Sequence, residues 1–74
     1  MEKKFKAVQV GEMFYEKGYP ECVAVRIVDD VVKDCNAVIL ANRETEFSDG
    51  SDPIPPGHFT WWSPNSVVVS LGKL

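Results

Sequence analysis

Few side chains here could do covalent chemistry. His58 is the sole histidine of the 74 residues, and Cys22 and Cys35 are the sole cysteines. A nucleophile must sit within hydrogen-bond reach of a base that a third group orients. Either cysteine with His58 and an aspartate is the one triad the composition allows, and nothing in the spacing supports it. His58 follows Pro55-Pro56-Gly57 at the head of an apolar run, where a surface residue is expected. Zinc takes four ligands, usually from closely spaced cysteine pairs. Two cysteines with twelve residues between them and one histidine fall short of that. Asp49-Gly50-Ser51-Asp52 has a faint likeness to a calcium loop but lacks alternating ligands and the distal bidentate glutamate, so an Asp-Gly turn explains it better. Asp29 and Asp30 are adjacent, and in a strand adjacent side chains point to opposite faces. No P-loop or dinucleotide fingerprint occurs. The expectation is no enzyme activity, no metal and no cofactor.

Composition allows one small domain spanning 1–74. At 45% hydrophobic and 26% charged the chain reads as folded rather than disordered. A chain of this length buries only about 60–65% of the surface its unfolded form exposes, so stability is thin. The formal charge is −3, and the only basic cluster is Lys3, Lys4 and Lys6. Phosphate binding normally needs clustered Lys and Arg, so nucleic acid is a less favoured partner. Met1-Glu2-Lys3-Lys4-Phe5 lacks the apolar run of a signal peptide, and no stretch nears the ~20 apolar residues of a membrane helix. A cytoplasmic location with both thiols reduced, and no membrane partner, is the expectation.

The elements that must position these residues are short apolar runs between turn signals. Gly11-Glu12 divides a first unit into strands Ala7–Val10 and Met13–Tyr15, and Gly11 can supply a backbone conformation other residues resist. Lys17-Gly18-Tyr19-Pro20 reads as a turn. Glu21–Asp29 is the clearest strand: Val23, Val25 and Ile27 alternate with Cys22, Ala24, Arg26 and Val28. Val31-Val32 can extend that hairpin, with Lys33-Asp34 as its polar turn. Asn36–Leu40 is the next strand, and Glu44–Phe47 can return as an edge strand. The Pro/Gly-rich stretch 48–57 must be a loop, because proline cannot donate to a sheet ladder. His58–Trp62 and Val67–Leu71 complete the set around a tight turn at Ser63–Ser66. Five to six short antiparallel strands in so short a chain predict an all-β fold, a small SH3-like barrel.

Three fragments carry a resemblance. Val10-Gly11-Glu12-Met13-Phe14 resembles the "v-G-e-x-F" opening of many small proteins of tailed bacteriophages. Cys35-Asn36-Ala37-Val38-Ile39-Leu40 resembles their central "N-A-v-x-L" strand, and Trp62-Ser63-Pro64-Asn65-Ser66-Val67-Val68-Val69 their closing "F-x-p-d-x-x-V". Val23–Ile27 stands where they have "v-y-v-K-i". The resemblance implies an SH3-like barrel of uncharacterised role, made in the cytoplasm of an infected bacterium. The excursion Arg43–Gly57 departs from the pattern, which usually has a brief turn there. No functional residue is carried over.

The aromatic end of the chain is the most informative part for function. Trp61 and Trp62 face opposite sides of an extended strand. In one register Phe59 and Trp61 fill the barrel; in the other Trp62 enters the core and Trp61 stays outside with Phe59. One indole is then exposed, or covered by Ile54, Pro55 and Pro56. Exposed Trp with nearby Tyr is the usual anatomy of an interface hot spot. The candidate partner-binding residues are therefore Trp61, Trp62, Tyr15, Tyr19 and Phe59. The leading expectation is a non-enzymatic protein-binding module with a host or phage protein partner. Two alternatives stand beside it: a single-strand nucleic-acid barrel that stacks bases on these rings, and a structural homo-oligomer or homodimer joined along Val67–Val69.

Overall fold

A computed structural model describes residues 1–44 and 54–73. Their strands form one antiparallel sheet: β1 (Glu2–Lys4), β2 (Glu12–Glu16), β3 (Cys22–Asp30), β4 (Cys35–Asn42), β5 (Phe59–Thr60) and β6 (Val67–Lys73). The order across the sheet is β1-β6-β2-β3-β4-β5. No α-helix occurs among the described residues, and the one helical element is a 3₁₀ turn over Phe5–Ala7. The all-β class is as expected. Closure into a barrel is not: β1 and β5 stand at opposite edges and do not pair. After two residues of β5 the chain leaves the ladder, and the segment 61–66 fills the remaining gap. It meets the start of the chain there, where Lys6 N–H donates to the Pro64 carbonyl at 3.0 Å and Phe5 N–H to the Ser66 carbonyl at 2.8 Å.

Alternation decides which side of the sheet is interior, with an outcome that hydrophobicity alone would not give. Register pairs Phe14 with Ala24 and Ala24 with Ile39, and cross-strand partners share a face. That face is the core, joined by Phe5, Val8, Cys22, Ala37 and Val68. On β3 the interior side is thus the small-residue one, Cys22 and Ala24, while Val23 and Val25 face outward. Small residues under the sheet leave room for the aromatic rings. Phe5 meets Phe14 edge-on at 5.2 Å, and Phe14 meets Trp62 edge-on at 5.1 Å.

Two local expectations change. Ala7–Val10 is not a strand; the 3₁₀ turn places residues three apart on one side, so Phe5 and Val8 both plug the core. Arg26 holds this turn from β3. Its guanidinium lies 4.5 Å over the Phe5 ring and donates to the Phe5 and Val8 carbonyls at 3.2 and 3.3 Å. Val31-Val32 does not extend β3 but belongs to the four-residue turn Val31–Asp34. There the Asp30 carboxylate accepts from Lys33 N–H at 3.0 Å, and Asp34 takes φ 56°. The expected edge strand at Glu44–Phe47 lies outside the described residues beyond Glu44. Of the loop at 48–57, the described part, Ile54–Gly57, lies outside any strand.

Two buried polar groups tie the ends together. Glu12 is buried, pairs with Lys3 of β1 at 2.7 Å, and accepts from Gln9 N–H at 3.0 Å and from the Ser70 hydroxyl of β6. The Gln9 N–H, then Lys3, then Ser70 hold its carboxyl at about 2, against an ordinary 4.5. Asn36, also buried, clamps the backbone of Trp62: its amide nitrogen donates to the Trp62 carbonyl at 2.9 Å, and its oxygen accepts from Trp62 N–H at 2.7 Å.

Because the folded carboxyl titrates below its unfolded value, Glu12 contributes stability that is complete above pH 4.5 and is lost as pH falls through about 2. Chemical denaturation at stepped pH should show this decline in the native protein, and Glu12→Gln should flatten it while lowering neutral-pH stability by about 1–2 kcal/mol. Asn36→Ala, which strands the Trp62 N–H and carbonyl, should lower unfolding free energy by about 2–3 kcal/mol in the same assay.

Candidate functional surface

The five aromatic residues expected to form one partner-binding patch divide between two sides of the sheet. Trp62 and Tyr19 pack, partly buried, against the core. The Trp62 indole N–H donates to the Glu16 carboxylate at 2.9 Å, so this ring is structural cladding with its polar edge satisfied. Tyr15 pairs in register with Val23 and Val69, on the face opposite Phe14. Phe59 pairs with Val38, also on that outer face, and is 65% exposed. Trp61 is 39% exposed. The second of the two registers open to the sequence is therefore the one adopted: Trp62 is inside, and Trp61 stays out with Phe59.

The outer face carries a continuous apolar row across four strands, Met13-Val25-Val38-Phe59, each residue the register partner of the next. At the Phe59 end, a depression of about 340 Å³ opens between the β3–β4 hairpin and β5, lined by Ile27, Val28, Asp30, Lys33, Cys35 and Phe59. Val28 on its wall is 72% exposed, and at the hairpin tip Val31 and Val32 are 79% and 92% exposed. Sequence reasoning missed this hairpin as a surface, because two more valines after a valine-rich strand read as more strand. The available signal was Asp30: an aspartate before a turn, able to accept from the N–H further on, marks where the ladder stops.

Val67–Val69 does not form an oligomer seam by strand pairing. β6 is an inner strand, bonded to β1 on one side and β2 on the other, so it offers no free edge. Val68 is buried, Val69 is half-buried between its register partners Tyr15 and Glu2, and Val67 is exposed.

The remaining chemistry is sparse. Cys22 pairs with Asn42 and Cys35 with Asp30, so the thiols sit at opposite ends of the β3–β4 hairpin and both are free and buried. Burial, with the Glu44 and Glu16 carboxylates, pushes the Cys22 thiol up from its ordinary value and away from the nucleophilic thiolate. Among the described residues no three His, Cys, Asp or Glu side chains gather to hold a metal ion, and no helix is long and apolar enough to cross a membrane.

The division of the two indoles sets a direct test. Trp62→Ala should cost about 3–5 kcal/mol in unfolding free energy, whereas Trp61→Ala should change it by less than ~1 kcal/mol. Comparison with known proteins finds no matching family model, no similar curated protein and no similar solved structure, so the likeness to small phage proteins rests on its sequence fragments alone.

Proposed function

We propose that this chain is a non-enzymatic protein-binding module whose contact surface is the β3–β4 hairpin, β5 and the depression between them. One observation carries the reading: Val28, Val31, Val32 and Phe59 are all strongly exposed and all cluster at this one end of the sheet. Scattered exposed hydrophobics need no explanation, but a contiguous group around a concavity marks a site where another apolar surface is buried. Phe59 and Trp61 supply the large, stiff rings that dominate such contacts. With β1 set aside, the order β6-β2-β3-β4-β5 places the last strand beside the first and keeps the others in sequence. The sequence likeness to small phage proteins adds the reading of a cytoplasmic phage factor that engages a host protein or its own assembly.

Single-strand nucleic acid is the weaker reading. Stacking on Phe59 and Trp61 would need cations beside the rings, yet the depression offers only Lys33, next to Asp30. Oligonucleotide titrated at low salt should leave tryptophan emission unchanged up to high micromolar concentration.

A photoreactive phenylalanine analogue at position 59, against one at exposed Lys6, tests the surface. The position-59 probe should form a discrete protein adduct that Val28→Asp abolishes. Equal labelling from both positions, or none from either, would remove this surface from consideration.

A further inference from the structure

An apolar depression and an exposed apolar hairpin tip lie side by side on one chain. We propose that the occupant of this surface is a second copy of the same chain, docked about a two-fold axis so that each hairpin tip fills the depression of the other copy. The assignment rests on the protein-binding reading above and names its partner.

A two-fold interface buries the same patch from both partners, so the patch must complement itself in shape and in charge. In shape it carries a knob, Val31-Val32, and an apolar hole walled by Ile27, Val28 and Phe59. In charge its rim carries one acid, Asp30, and one base, Lys33. Among the described residues the Lys33 ammonium has no ion-pair partner, and one Asp30 carboxylate oxygen accepts only from the Lys33 N–H. A two-fold operation can bring Lys33 of each copy to Asp30 of the other, satisfying both charges twice over. A partner rim of a single sign would leave one of the two facing its like. The lining pair is balanced in sign, while Asp34 in the exposed turn adds one acid to the patch on each copy. The knob is also preorganised. The Asp30 cap and the left-handed Asp34 define a tight turn, so docking orders little that is not already ordered.

Sedimentation equilibrium on the whole chain tests this with a charge-swap pair. The native chain should move from one-chain to two-chain mass as concentration rises through the micromolar range. Lys33→Glu alone sets two acids against each other and Asp30→Lys alone sets two bases; each should weaken dimerisation at least tenfold. An equimolar mixture of the two variants pairs acid with base at both contacts and should regain two-chain mass. Val32→Asp, which leaves the Asp30 cap in place, should give a folded monomer by circular dichroism and covers the case in which Asp30→Lys disturbs the turn. A native chain that stays at one-chain mass to millimolar concentration overturns the proposal. So does a mixture no heavier than its components, or a dimer indifferent to Val32→Asp. If the native chain is monomeric while the position-59 probe still captures a different protein saturably, the binding surface stands and the second copy falls. No dimer and no adduct remove both.

Discussion

A single side chain substitutes for the missing end of a β-ladder. Asn36 presents one donor and one acceptor to the Trp62 peptide, the same pair a neighbouring strand would offer, at 2.9 and 2.7 Å. An extended β5 could have supplied those bonds only by running straight on and carrying residue 62 past the open side of the sheet. The clamp instead lets the chain leave the ladder after Thr60 and still keep its polar groups satisfied while buried. From that fixed point Trp62 drops onto Phe14, and the following turn delivers Ser66 and Pro64 to Phe5 and Lys6. Much of what closes the interior hangs on this one amide.

The interior it closes is narrow, and its composition follows from the space available. Ala24, Ala37 and Cys22 floor the sheet, and above them runs a file of groups: Arg26 over Phe5, Phe5 against Phe14, Phe14 against Trp62, Trp62 bonded to Glu16. The file begins and ends in charged groups that reach solvent or backbone, while its middle is dry. A short chain has little area to bury, so large rings over small residues bring the most apolar surface out of water per residue. Glu12 adds the only carboxylate among the buried described residues. Its acidity shows that backbone and lysine donors outweigh the cost of its burial.

The same geometry explains why apolar side chains are left over. An open sheet with one covered face only partly shelters the alternate residues of its strands, and on β3 these are half-buried Val23, Val25 and Ile27. Near the middle, Met13, Val25 and Val38 shelter one another. At the Phe59 end that shelter runs out, because β5 is the edge strand among the described residues and no further strand stands beside it. Exposed Val28, the turn valines Val31 and Val32, and Phe59 gather at that end, where the ladder stops, and this is the surface proposed for a partner.

Residue order alone was enough for the class of fold and, within a residue or two at their ends, for the strands expected at Met13–Tyr15, Glu21–Asp29, Asn36–Leu40 and Val67–Leu71, because alternation with β-branched residues is a local property that each segment carries by itself. The absence of long helices was legible for the same reason. Long-range partners were not. Whether Val31-Val32 continued a strand, which indole faced inward, and whether Val67–Val69 lay at an edge all depended on what stood opposite each segment. The β1 strand and the Phe5–Ala7 turn have no local signature, since they exist only through β6, the Ser66 carbonyl and the Arg26 guanidinium. Asn36 could be read as a strand residue, but its clamp joins positions far apart in the chain, and only the folded sheet brings them within hydrogen-bond distance. Periodicity is written along the chain; register, closure and exposure belong to contacts between distant parts of it.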